Sequence, residues 1–353
     1  PIKGFATTLV IGIFTSLFSA IFITRLIFEW QLKKSKKITF TSKITANWLV
    51  NPKIKFLDKR KIAYVISGSL LTLSIISFAV RGFDLGIDFQ GGRTYTVRFD
   101  EDVKVADVQS ALTAEFGVMP EVKTFGSDNQ VRITTKYKID ELSESVDNEV
   151  EQTLYQGLVN GGFLSNVSYE DFAENYRTSS QKVGPTISDD IKKDALIAIT
   201  IALIAIFLYI MVRFSNWKYG LGGVISLAHD TIITLGVFSI LHGFLPFSLE
   251  IDQAFIAAIL TVIGYSINDS VIVYDRIREY LHIHPKRDLK VNMDNAMNHT
   301  LRRTLNTSMT TLVVLLIIFI FGGENIRGFI FALLIGIGVG TYSSVFVASP
   351  IVY

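Results

Sequence analysis

Seven stretches of this chain are long and apolar enough to cross a bilayer, and that fact constrains the fold more than any other. A hydrocarbon core of roughly 30 Å needs about 20 apolar residues in helical form. The runs near 5–24, 62–80, 195–212, 219–241, 253–274, 304–323 and 328–353 qualify, and five of the seven carry no Asp, Glu, Lys or Arg. Backbone groups in lipid must be satisfied within the segment, so each run is expected to be a helix. Buried core helices of a water-soluble protein would be the alternative, but seven such runs in one chain argue against it. The first run has neither a basic leader nor a small-residue cleavage site, so it reads as a span and not a signal peptide.

Composition agrees. Charged residues make up 19% of the chain and apolar ones 49%, with a mean hydropathy of +0.40; a soluble domain usually carries about 25% charged residues. A formal net charge of +2 gives no global field for a nucleic-acid partner. Cysteine is absent, which excludes disulfides, zinc–thiolate and iron–sulfur sites and cysteine nucleophiles.

Loop charge predicts orientation. Residues 31–61 hold ten Lys/Arg against one acid, and 275–303 hold seven; both are expected on the cytoplasmic side, with the 213–218 turn. Loop 242–252 has no Lys or Arg and 322–327 has only Arg327, so both are expected outside. The C-terminus is then cytoplasmic.

Residues 82–190 form the one long polar stretch and are expected to be an extracytoplasmic domain. A strand at Arg93–Phe99, a helix at Val103–Phe116, a hairpin of Glu121–Phe125 and Gln130–Thr135 around 126–129, a helix at Ser143–Asn160 and a last strand within 166–187 spell β-α-β-β-α-β. That order suggests a ferredoxin-like module, a fold that says nothing about function alone. Gly82–Gly92 (GFDLGIDFQGG) and Val183–Asp190 (VGPTISDD) are its two joints, expected to be its only attachments to the membrane half. Ser188 is expected to cap the helix entering the third span.

Ionisable residues inside a span are functional hypotheses by default. The fourth run holds His229 and Asp230, and the fifth holds Asp269. Asp269 shares a helical face with Tyr265 and Ser266 and has Asn268 beside it. Arg303, at the mouth of the sixth span and followed by Asn306, Thr307 and Thr310, is the candidate cation. A carboxylate whose charge depends on a cation's approach can take up and release protons. For Asp269 proton handling leads over a structural hydrogen bond; for Asp230 the order is reversed, because a polar stripe can simply lock helices together. His282, His284 and His299 sit in a basic loop without carboxylates at fixed spacing, so no metal site is expected. Gly336-x-Gly338-x-Gly340 lies inside an apolar run without a preceding strand and reads as small-residue helix packing. No phosphate-binding loop or nucleophile elbow appears, so no cofactor and no enzyme activity are expected.

Asp88-Phe89-Gln90-Gly91-Gly92, Val183-Gly184-Pro185, His229-Asp230, the block Ser266–Glu279 (SINDSVIVYDRIRE) and Arg303–Ser308 (RTLNTS) together resemble the SecF family of protein-export subunits. Residues 1–30 look like the last span of SecD, so the chain resembles the C-terminal part of a fused SecD–SecF protein. The family usually has Thr where Gln90 stands. The resemblance implies an α-helical polytopic protein of the resistance–nodulation–division superfamily with six SecF-like spans, one SecD-like span and a small α+β extracytoplasmic domain. Its segments are the SecD-like helix (1–30), a basic cytoplasmic linker (31–61), the first SecF-like span (62–81), the outer domain (82–190) and a five-helix bundle (191–353). It further implies an accessory of the Sec translocon in the bacterial inner membrane, using the proton motive force to draw unfolded preprotein across. Asp269 and Arg303 would form its proton relay, supported by Asp230, His229, Tyr265, Ser266, Asn268 and Asn306. Asp88, Gly91, Gly92, Gly184 and Pro185 would be motif or hinge residues. Implied partners are the SecD-like half, SecYEG, YajC, YidC, preprotein, protons and the lipid bilayer. A passive Sec-associated scaffold and a proton-driven lipid or drug exporter of the same superfamily are the alternatives.

Overall fold

The computed structural model describes residues 2–34, 48–50, 52–141, 143–245 and 247–353. Much of the basic 31–61 linker therefore lies outside the described residues. Among those described, seven helices are long and apolar enough to cross a membrane: α1 (Ala6–Lys33), α2 (Leu57–Val80), α5 (Pro185–Phe214), α6 (Trp217–Leu241), α7 (Gln253–Ile283), α8 (Leu289–Phe321) and α9 (Ile326–Val352). Each expected run is found. Several helices outlast their apolar stretch. The hairpin of α7 and α8 continues as helix well past Asp269, because nothing in 275–283 or 289–303 breaks it before the turn at 284–288.

Close approach between spans is set by glycine. A Cβ on Gly236 of α6 would fall 1.9 Å from Ser74 Oγ on α2, and one on Gly336 of α9 would fall 2.3 Å from Val262 Cγ2 on α7. The α2–α6 contact is polar: Ser77 and Ser239 share a hydrogen bond of 2.7 Å. Gly338 of the glycine run meets nothing within 4 Å, so packing rests on Gly336 and Gly340. By contrast, none of the most apolar window of α1 is buried.

The outer domain has the expected β-α-β-β-α-β order. Strands β1 (Gly92–Arg98), β2 (Glu121–Phe125), β3 (Ser127–Thr135) and β4 (Arg177–Val183) form an antiparallel sheet in the order β2-β3-β1-β4. Helices α3 (Val105–Phe116) and α4 (Glu144–Asn160) supply the crossovers. The hairpin is tighter than the sequence suggested: β3 begins at Ser127, with Gly126 turning at φ +83°. Alternation along β1 sends Tyr95 and Val97 into the core with Val108, Leu112, Val150 and Leu154. Thr94, Thr96 and Arg98 face the other way and line a polar cavity of about 530 Å³ beneath the sheet.

That polar face is docked on the membrane half, which corrects the expectation of two joints alone. Lys123 Nζ contacts Asp84 (2.7 Å) and Glu250 (3.5 Å), and Arg132 contacts Glu250 (3.2 Å). Burial pulls the Lys123 ammonium down, but Glu250 and Asp84 outweigh it and hold it above the usual lysine value. The joint itself is also fastened: Gly86 N–H donates to Ile251 O (3.0 Å) and Ile251 N–H to Asp84 O (2.7 Å). Ser188 is not the cap of α5. Gly184 is the N-cap and Pro185 opens the helix, so Ser188 already lies within the first turn and donates to Pro185 O.

Candidate functional site: two buried carboxylates in the helix bundle

Asp230 and Asp269 are both buried, at 1% exposure, yet their surroundings differ in kind. Asp230, on α6, is fully tied. Its Oδ2 accepts from Ser266 Oγ of α7 (2.6 Å) and from Ser343 Oγ of α9 (2.8 Å). Its Oδ1 lies 3.0 Å from His229 Nδ1. Ser226 extends the network by donating to Ser343 (2.9 Å). Gly340 lets the three helices close over this knot, since a Cβ there would sit 2.9 Å from Ser266 Cβ and 3.4 Å from Asp230 Oδ2. A five-residue π turn, Ser344–Ala348, starts one residue past Ser343; such turns are frequent at functional sites.

Asp269 lies one turn beyond Ser266 on the same stripe of α7 and is poorly held. Its Oδ2 accepts one long bond, 3.5 Å, from Ser308 Oγ of α8, and Ser308 in turn accepts from Thr341 of α9 (2.7 Å). Its Oδ1 has no hydrogen-bond partner among the described residues, and neither do the buried Ser270 Oγ and Tyr274 OH further along α7 or Thr304 Oγ1 one turn before Ser308 on α8. Buried polar groups are normally paired. One carboxylate is thus bonded from three helices, although His229 Nε2 beside it has no partner among the described residues, while the other holds a single long bond.

The structure brings together Asp230, His229, Ser266 and Ser343, and separately Asp269 with Ser308. It does not bring Arg303 into contact with Asp269: no ion pair joins them among the described residues. Arg303 is exposed and lines a cavity of about 430 Å³ with Asp275, Glu279, Arg276 and His299. Tyr265 turns to Thr311 of α8 (3.2 Å) instead of to Asp269. Asn268 and Asn306 are exposed, so neither supports the site as expected. Residues Thr300, Thr304 and Ser308 are the buried stripe of α8, whereas Arg303, Asn306, Thr307 and Thr310 form the neighbouring, outward one. At 3.6 residues per turn, these stripes lie about 100° apart. Ser308, Thr341 and Ser343 were missed from sequence; the polar run Thr341–Ser344 inside an otherwise apolar segment is the signal that could have found them.

The motif residues of the outer joint are tied to the Asp269 helix. Asp88 accepts from the Gln253 backbone N–H (3.0 Å) and from Gln253 Nε2 (3.2 Å), and Asp252 caps the same helix through Phe255 N–H (2.8 Å). Burial, with Asp88 and Glu250 adding to it, pushes the Asp252 carboxyl above the usual range despite that bond. Gly91 and Gly92 both have positive φ (+69° and +145°). A Cβ on Gly91 would meet Val183 O and Pro185 Cα at 3.4 and 3.5 Å, so the two joints of the outer domain touch.

Comparison with known proteins places this arrangement. The family described as protein export membrane protein SecD/SecF, C-terminal, matches residues 165–353, and the SecD/SecF GG motif matches 76–103. The protein translocase subunit SecF of Rhodothermus marinus is 45% identical over 303 residues, covering 86% of this chain and 93% of that one. Its Haemophilus influenzae counterpart is 37% identical over 322 residues, with 91% of each covered. A crystal structure of SecDF from Thermus thermophilus, described as a translocon-associated membrane protein, superposes with a TM-score of 0.80 at 31% identity. That likeness covers 99% of this chain but only 44% of the SecDF chain, so the chain spans less than half of the fused relative.

Proposed function

The chain belongs to the SecD/SecF protein-export family, and from that premise we propose that it is a Sec-associated accessory of the bacterial inner membrane that uses the proton motive force to promote preprotein translocation. The underbound Asp269 carries this reading. A buried carboxylate held by a single 3.5 Å bond keeps its charge only while a cation or donors offset its desolvation. Arg303 starts from the same membrane side, on the helix next to α7. Its approach would hold the charge, and its retreat would favour the acid. That makes a two-state element that a proton gradient can bias. No covalent step is needed.

The outer domain would read this element mechanically. Asp88 and Asp252 hold the first turn of α7, which carries Asp269 about 24 Å further along at 1.5 Å rise per residue. A tilt of the sheet on the 248–252 loop therefore pulls on the helix of the relay. Arg303, Asn306, Thr307, Thr310 and Asn268 are exposed within spans, where polar groups seldom face lipid; this stripe suits packing against the SecD-like half. The scaffold reading fits Asp230, both of whose carboxylate oxygens are engaged within a three-helix knot. The cavity beneath the sheet is lined by Asp88, Glu250, Asp252, Arg98 and Arg132, chemistry that suits neither an apolar lipid nor a drug.

The test is export of a preprotein into membrane vesicles carrying the chain with its SecD-like half, with and without a proton gradient. Asp269→Asn is expected to abolish the gradient-dependent part alone. Gradient-driven export at the normal rate in that variant would remove Asp269 from the relay. Orientation is tested in this cysteine-free chain with Lys53→Cys and Ser127→Cys and an impermeant thiol reagent on intact cells. Ser127→Cys should label, and labelling of Lys53→Cys instead would reverse the topology.

A further inference from the structure

The outer domain and the membrane half are held together by charge and not by a common core. The domain's core, around Val97, Leu112 and Leu154, shares no residue with that of the bundle, to which Phe89, Leu249 and Ile251 belong. Among the described residues, every hydrogen bond or ion pair that crosses from the sheet to the membrane half comes from two side chains, Lys123 of β2 and Arg132 of β3. Beside these contacts lies the polar cavity of about 530 Å³, so the seat of the domain is not closely packed. Two bodies that meet across a small polar interface are free to move relative to one another.

The seat itself is built. Leu85 and Ile251 form a parallel β bridge. The two backbone bonds across it, Gly86 N–H to Ile251 O and Ile251 N–H to Asp84 O, set Asp84 and Glu250 side by side. Lys123 Nζ reaches both carboxylates, at 2.7 and 3.5 Å, and also meets Glu121 of its own strand at 2.9 Å. Arg132 takes the other oxygen of Glu250 at 3.2 Å and lies over the Phe125 ring, 4.0 Å from its centre. Both oxygens of Glu250 are therefore used, one by each strand. These side chains are partly exposed, from 16% for Asp84 to 30% for Lys123, so dissolved ions can screen them. Asp88 and Asp252 add two acids to the floor of the cavity, and Arg98 adds a cation to its roof.

A pivot accompanies the seat. Gly91 and Gly92 both have positive φ. A Cβ on Gly91 would meet Val183 O and Pro185 Cα at 3.4 and 3.5 Å, so the entering and leaving joints pass through one point. A body on one pivot with one lateral charged contact can take a seated and a lifted position. We propose that Glu250, with Asp84, is a releasable latch: it clasps Lys123 and Arg132 to hold the outer domain seated on the bundle, and loss of this charge pairing lets the domain swing off as one body about Gly91 and Gly92. Glu250 stands two residues before Asp252, the N-cap of α7, so the seated domain bears on the helix that carries Asp269. The latch does not require Asp269 to take up a proton, and either reading can fail without the other.

The test is the distance between domain and bundle, read by a pair of spin labels in this cysteine-free chain. Ser110→Cys on α3 and Phe321→Cys at the C-terminal end of α8 are exposed positions that take no part in the seat. The full chain is measured in lipid nanodiscs, where one distance should dominate at low salt. Glu250→Gln, and separately Lys123→Gln with Arg132→Gln, should bring up the same second distance. Each should raise the ratio of lifted to seated molecules at least about threefold, as the loss of two partly exposed ion pairs implies. Salt at about 1 M, where the screening length falls to about 3 Å, should do the same to the unsubstituted latch. Arg98→Gln lines the same cavity but bonds within its own sheet, to Gln130, and should leave the ratio within about 1.5-fold of the parent. One unchanged distance in both latch variants, or a salt response undiminished in Glu250→Gln, overturns the latch. Broadening about a single distance, with no second one, overturns the swing.

Discussion

Asp269→Asn should make the protein more stable while disabling it. In the resting structure the carboxylate is buried, its Oδ1 has no partner and its Oδ2 has one bond of 3.5 Å. A bond that long contributes little, so at about pH 7 the folded state either keeps an ionised group, whose desolvation costs several kcal/mol, or protonates it about 3 units above its ordinary value, at about 1.4 kcal/mol per unit. Asparagine has the same shape and no charge, and its unpaired amide costs only about 1–3 kcal/mol. The difference favours the variant by about 1–3 kcal/mol. At the lower end of the usual conversion, about 2 °C per kcal/mol, that is a rise of about 2–6 °C in the unfolding midpoint. Tryptophan fluorescence during heating in detergent, without any gradient, reads it directly. A residue retained at a cost in stability is what a functional site predicts. A fall of more than about 4 °C would refute the reasoning, because it would mean that the carboxylate is a structural partner whose loss is felt, as Asp230 is.

Asp230→Leu should show the opposite behaviour: it leaves Ser266 Oγ, Ser343 Oγ and His229 Nδ1 without their acceptor, at about 1 kcal/mol or more each, so a loss of about 3 kcal/mol is expected in the same melt, and a loss under about 1 kcal/mol would deny the knot. Gly236→Ala places a methyl 1.9 Å from Ser74 Oγ and should destabilise the α2–α6 contact by more than about 1–3 kcal/mol; Ser74→Gly should recover part of this, and no recovery would mean that the contact is not the cause. Asp252→Asn keeps a good helix cap but removes a carboxylate whose folded-state value is raised by burial and by Asp88 and Glu250. A raised acid favours the folded state only below the unfolded value, near pH 4, and that contribution is lost as pH rises through the folded value. The variant should therefore melt higher than the parent at about pH 7, with the gap closing towards about pH 4; a gap that widens on acidification would reverse the sign.

Local information settled a great deal. Apolar runs located all seven spans, because lipid demands both the length and the composition of each. Period-two and period-3.6 patterns found the four strands and two helices of the outer domain, because each element buries one face of its own. The rarity of charge within a span singled out Asp230 and Asp269, and the motif block around Asp269 resembled one family closely enough to be recognised.

Tertiary structure decided what each of these residues meets. A helix has every azimuth available until its neighbours are placed, so nothing local told the Thr304–Ser308 stripe of α8 from the adjacent Arg303–Asn306 stripe. Only the first lies against Asp269, and Arg303 stands apart from it. Ser343 reaches Asp230 across 113 positions, a contact that exists because Gly340 lets α9 approach both Ser266 of α7 and Asp230 of α6 closely. The docking of Lys123 and Arg132 on Glu250 is of the same kind. Charge and hydropathy fixed which residues could not face lipid, but the pairing of polar groups is a property of the packed bundle, since desolvation penalises each one until a specific partner from another helix arrives.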